Sequence, residues 1–354
     1  MAHCEHLEVR RLLSAVGGLD AFTVDFGVVN GRHRAAFASA PDGTRFLFSI
    51  SGNGTGQAVA DGDGFSLVVS GTDSRSSLNV FTDNFGLITG LSVDGSLRAL
   101  NARDCTIGGD ASITGTLGSA ALFAVSSEAG NTIHFGIGGA GVASSLAIEL
   151  VSDVTLTTAS PIAALRVRRW ADLNAEPDVI TAPSIGLVRT FAGRGVTGSF
   201  EADLNLTDVG GVSLGKMNVA GGLNGATIRA AGSVGAVTVS AMHDSLLLAG
   251  AKGDLAALPT AASDFVAASS IGSFVVTGKA AATFSDTVIA ASSIGKVRMG
   301  KVGTNAVART TFGVAAVSIG DYRRGMGRGA VVGKNVTQLG VFDSDGFYVG
   351  EIVG

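Results

Sequence analysis

His243, Asp244 and Ser245 set the three residue types of a hydrolytic triad side by side. A working triad gathers nucleophile, base and orienting acid from distant chain positions, because neighbouring side chains rarely reach the required geometry. The tripeptide reads as a turn. The other histidines, at positions 3, 6, 33 and 134, have no paired spacing suited to a metal. Gly136-Ile137-Gly138-Gly139-Ala140-Gly141 matches the dinucleotide fingerprint and follows an apolar run. With 52 glycines in 354 residues, such a match arises by chance about once in a chain of this length. No acidic residue closes a second strand about 20 residues later, and no alternation of helix and strand surrounds the motif. These residues assign no catalytic group and no cofactor.

Two further constellations are candidates for binding. Asp61 and Asp63, in Asp61-Gly62-Asp63-Gly64, and Asp343 and Asp345, in Asp343-Ser344-Asp345-Gly346, could offer oxygens to calcium. Neither has the twelve-residue loop and closing glutamate of an EF-hand, so turns are the plainer reading. Arg166, Arg168, Arg169 and Trp170 form the one basic patch that includes an aromatic, a candidate polyanion contact. Arg323, Arg324 and Arg328 form a second, without a stacking partner. A glycosidase needs two carboxylates across one sugar bond, and sugar grooves favour aromatic platforms. One Trp and two Tyr are poor material for such a groove, and the acidic residues recur at turns instead of clustering.

The elements that must carry these residues are repeated. Ser270-Ile271-Gly272-Ser273-Phe274-Val275-Val276 is echoed by Ser293-Ile294-Gly295-Lys296-Val297-Arg298-Met299. Further copies stand at Ser184-Ile185-Gly186, Ser213-Leu214-Gly215, Ser233-Val234-Gly235 and Ser318-Ile319-Gly320. The apolar anchors thus fall at 185, 214, 234, 271, 294 and 319. Coils of roughly 20–25 residues, some with added loops, account for this series and mark a solenoid. Side chains alternate along a strand, so Ile271, Phe274, Val276, Ile294, Val297 and Met299 point inward, and Val275 and Arg298 outward. The glycine after each anchor marks a corner with positive φ, or a bend too tight for a Cβ.

This predicts an all-β fold, a right-handed parallel β-helix or β-solenoid with an irregular N-terminal β region and loop excursions. Residues 1–18 read as a leader or targeting segment without regular structure. Residues 19–86 read as a β region that caps the solenoid or begins it. Residues 87–354 read as roughly 12 coils, with excursions near 123–178 and 249–264. Apolar residues are 46% of the chain, charged residues 15%, and the net charge is −4. That balance gives no general attraction to nucleic acid, and no apolar run is long enough to span a membrane. Cys4 and Cys105 alone imply no disulfide framework.

Leu7-Glu8-Val9-Arg10-Arg11-Leu12-Leu13-Ser14-Ala15 resembles the Leu-Glu-Pro-Arg-x-Leu-Leu (LEPR-XLL) leader of large surface or secreted proteins from planctomycete-type bacteria, with Val9 in place of the proline. The body is similar to their Gly-Ser-Ile-Gly-rich β-helical repeats. The resemblance implies an extracellular or envelope location and a structural, spacer or adhesive role. Its partners would be surface polysaccharide or other envelope proteins. It carries over no catalytic residue. Carbohydrate-active β-helix enzymes and calcium-dependent binding modules are the alternatives.

Overall fold

The computed structural model describes residues 22–127, 130–252, 258–266, 269–279, 283–303, 312–325, 331–336 and 347–352. Strands dominate, and the one helical element among these residues is the 3-10 turn Ala262–Asp264. The chain is a parallel β-solenoid of about ten turns. That is fewer than the coil length predicted, because several coils carry added loops, as between Thr190 and Phe200 and between Ala249 and Ser269.

Three parallel ladders run along the solenoid, each with an inward column of apolar side chains. In the first ladder, Leu91, Ala111, Phe135, Leu156, Ile180, Leu204, Ile228 and Leu247 are successive register partners. The column continues through Ile289 and Val314 to Val349. The second ladder carries the repeat. Ile185, Leu214, Val234, Ile271, Ile294 and Ile319 lie in one register, each against the next. All six are buried, as are Phe274, Val276, Val297 and Met299, whereas Arg298 is exposed and Val275 half-buried. The third, shorter ladder stacks Ile88, Ile107, Val125, Val151, Trp170, Phe200, Leu223, Met242 and Phe284.

The glycines after the anchors are not left-handed. A Cβ on Gly272 would meet the Gly235 carbonyl oxygen at 2.5 Å, and one on Gly295 would meet that of Gly272 at 2.6 Å. Gly186, Gly215, Gly235 and Gly320 meet the preceding coil in the same way. The strand kinks here so that two consecutive residues face outward, and the kinked backbones nest on each other. Left-handed residues recur instead at a different corner, between the third and first ladders: Asp153 (φ 57°), Gly225 (φ 64°), Asp244 (φ 47°) and Asp286 (φ 48°). Aspartate tolerates this region better than most side chains.

The N-terminal end is built differently. Thr23–Val29, Arg32–Arg34, Ala36–Ser39, Arg45–Ser51 and Thr55–Asp61 pair antiparallel. Gly64–Thr72 and Ser77–Thr82 then hand over to parallel pairing with the first coils. Phe26, Phe46, Phe48 and Phe65 pile on one another beneath these strands, with centroid separations of 4.9 to 5.6 Å. They cover core that an open coil end would expose to water and to stray strand pairing.

The expected excursion over 123–178 is largely absent. Leu117–Ser126, Ser144–Ser152 and Ile162–Ala171 stack in register, and so do Ile133–Ile137 and Val154–Thr158. Ser144 occupies the anchor place here and donates its hydroxyl to the Leu117 carbonyl at 2.6 Å. The anchor signature was hidden by a serine. Among the described residues, short connections such as 138–143 join these strands, and residues 172–178 leave the ladders after Ala171.

Candidate functional site

Trp170 is the penultimate residue of the strand Ile162–Ala171. Along that strand Leu165 and Val167 face inward, then Arg168 and Arg169 both face away from the core, and Trp170 returns inside. The corner thus resets the alternation. Trp170 is 1% exposed and packs against Phe200, with centroids 5.8 Å apart. Its indole Nε1 donates to Asp178 Oδ2 at 2.7 Å. It is not an exposed platform for a polyanion, which corrects that expectation.

Asp178 is the centre of an acidic group. Its second oxygen accepts from the Val154 backbone N–H at 2.7 Å. Asp153, at the left-handed corner, accepts from the N–H groups of Leu173 and Asn174 at 2.9 and 3.0 Å. The two aspartates thus pin both ends of segment 172–178. Asp172 sits between them, and one ligand atom from each of the three lies within 4.8 Å of the others. Asp172 Oδ1 is buried without a hydrogen-bond partner, and the Asp172 N–H donates to Glu201 at 3.3 Å. Burial raises the Asp178 carboxyl from 3.8 to about 7, and Asp172 and Asp153 add to the rise against the two hydrogen bonds it accepts. Asp172 is raised for the same first reason, burial. The acidic residues therefore do cluster, contrary to the sequence reading. The spacing is compatible with a divalent cation, although Asp153 and Asp178 already spend oxygens on the fold.

The calcium candidates lie elsewhere. Asp61 and Asp63 are exposed at a hairpin tip, where Asp61 pairs with Gly64 and Gly62 is left-handed (φ 57°). They are not part of the carboxylate group at Asp153, Asp172 and Asp178. Asp343 and Asp345 lie outside the described residues, as do Arg328 and the leader. His243 Nδ1 bonds the Ser285 hydroxyl at 2.8 Å, and Ser245 donates to the His243 carbonyl at 2.7 Å while buried. The tripeptide is a stacked corner whose hydroxyl is spent on backbone. No helix follows Gly136–Gly141; the chain goes on to the strand Ser144–Ser152. Cys105 is buried, and burial pushes its thiol up to about 12, which makes it inert.

The basic residues divide. Arg168 bonds Glu149 at 3.4 Å, and Arg194 approaches the same carboxylate at 3.9 Å. Arg166 and Arg169 are exposed. Arg324 lies over the Phe347 ring, 4.8 Å from its centroid.

No protein-family model, curated protein or solved structure matches this chain. The fold and side chains alone define its class, a capped parallel β-solenoid. Among the described residues no helix is long and apolar enough to cross a membrane.

Proposed function

We propose that this chain is a non-enzymatic β-solenoid that serves as a spacer, structural or adhesive element at a bacterial cell surface or in a secreted matrix. The observation that carries this reading is the continuity of the inward columns, above all the one from Leu91 to Val349. Residues at every coil are committed to stacking, which suits a rod that displays its outer faces. The location rests on the resemblance of residues 7–15 to a leader.

One observation favours a carbohydrate-active enzyme as the second reading. Asp178, raised to about 7, falls in the range of a general acid, and Asp153 and Asp172 lie beside it. Parallel β-helices do host such enzymes, as an analogy of fold. Against this, both Asp178 oxygens already accept hydrogen bonds from the protein's own N–H groups.

Incubation with a panel of neutral and acidic polysaccharides, read for new reducing ends and unsaturated uronides, separates the two readings. The scaffold predicts no turnover. Turnover abolished by Asp178→Asn would establish the enzyme instead. Fractionation of the native host tests the location: recovery in the cytoplasm contradicts it.

A further inference from the structure

The second ladder's outer face is basic although the protein as a whole carries a net charge of −4. Arg166 and Arg189 are direct register partners on adjacent strands. Lys216 follows on the next coil, in the adjoining outward row opposite Leu187. Two neutral coils intervene, with Ala236, Thr238, Ser273 and Val275 at these registers. Then Lys296, Arg298 and Arg323 appear, with Arg298 and Arg323 again direct partners. Among the described residues none of these six makes an ion pair; the three pairs present involve Arg45, Arg168 and Arg194. The one acidic group in these rows is Asp321, which sits in register between Lys296 and Lys334.

Like charges directly opposite one another on paired strands are destabilising. Two arginine pairs on one face, with no carboxylate bonded to either, are an unfavourable arrangement that an external anion would relieve. Together the two clusters span six strand steps from Arg166 to Arg323, roughly 29 Å at about 4.8 Å per step, and the two arginine pairs are separated by four steps, from Arg189 to Arg298, or roughly 19 Å. A single small anion cannot span that distance, whereas one extended chain can engage both clusters and gain the advantage of linked contacts. Arginine forks match carboxylates in bidentate geometry. Phe191, beside the first cluster, is half-buried and has Arg189 over its ring at 4.7 Å, so that face is not free to stack a base.

We propose that this face binds a linear acidic polysaccharide laid along the solenoid axis, with Arg166, Arg189 and Lys216 holding one segment and Lys296, Arg298 and Arg323 another. The proposal goes beyond the scaffold reading and holds wherever the protein works.

Binding of polygalacturonate to the full chain is the test. Binding should occur at low ionic strength and weaken at high salt. Arg166→Glu with Arg189→Glu, and separately Arg298→Glu with Arg323→Glu, should each weaken it about tenfold, the scale of two exposed ion pairs. Trigalacturonate, too short to run from one arginine pair to the other, should bind about tenfold or more weakly than the polymer. Arg32→Glu with Arg34→Glu, exposed at the other end of the molecule, is the control for net charge and should leave binding unchanged. All variants should keep the unfolding midpoint of the parent, because the sites are exposed. No binding of the polymer, equal losses in the control, or unaltered binding in both cluster variants would overturn the proposal. Duplex DNA binding as tightly as polygalacturonate would overturn the choice of ligand.

Discussion

Trp170 donates its indole N–H to Asp178 across a loop, at 2.7 Å, with both side chains buried. Asp178 also accepts from the backbone of Val154 on the preceding coil. One carboxylate thus ties together a core aromatic, the end of the seven-residue departure 172–178 and the coil beneath. Asp178→Ala leaves two buried donors without partners, at a cost of about 1–3 kcal/mol each. Trp170→Phe keeps most of the packing and removes one of those bonds. A double-mutant cycle by chemical denaturation should give a coupling energy of about 0.5–3 kcal/mol. Strict additivity would mean the bond does not hold the loop.

Burial of the same carboxylate sets a pH dependence. Asp178 holds its proton to about 7, against 3.8 for an ordinary aspartate. Between those values the folded protein binds a proton that the unfolded chain has released. Stability is then fully present below the lower value and falls as pH rises through the window. Asp172 and Asp203 are shifted in the same direction, each first by burial. Asp73 and Asp83 are lowered, first by the backbone N–H groups of Arg75 and Arg45, but both lie at the surface. The unfolding midpoint should therefore be lower at about pH 8 than at about pH 5, and Asp178→Asn should flatten the slope. A midpoint that climbs from acid to neutral would contradict this.

The nested glycines make a separate prediction. Gly272→Ala pushes a methyl to 2.5 Å from the Gly235 carbonyl oxygen, and overpacking of this kind costs about 1–3 kcal/mol. Gly136→Ala has nothing within 4 Å of its Cβ and is not left-handed. It should be neutral or slightly stabilising, since alanine restricts the unfolded chain. Equal losses at the two sites would mean that glycine serves some purpose other than close approach.

The repeat is legible from Ile185 onward because those coils present an apolar side chain at the same register with a glycine directly after it. The anchors from Ile185 to Ile319 share one sequence pattern, and all of them stack. Coils earlier in the chain depart from that pattern. Ser144 stands at an anchor position and satisfies its hydroxyl on the coil below, so the apolar mark is missing there. Trp170 reads from the sequence as part of a basic patch, yet it is buried, because the corner at Arg168 and Arg169 turns two consecutive side chains away from the core and returns the next one to it. Asp153, Asp172 and Asp178 converge only because a loop folds back over two coils. Their spacing along the chain has no period to reveal it. Asp178, directly after Pro177 and before an apolar strand, was the one local sign of a buried acid.

The account rests most directly on the register of stacked anchors. Ile294 lies between Ile271 and Ile319, 1% exposed, while Arg298 in the same strand faces water. Chemical denaturation of two variants compares them. Ile294→Asp buries a carboxylate without a partner and should cost at least about 3 kcal/mol. Its damage should reach the C-terminal coils first, as new proteolytic cleavage beyond the substituted strand, because each coil contacts only its neighbours. Arg298→Asp should lower stability by less than about 0.5 kcal/mol, or raise it by relieving the repulsion from Arg323. Equal tolerance of the two substitutions would contradict the register, and with it the inward and outward faces assigned along the solenoid.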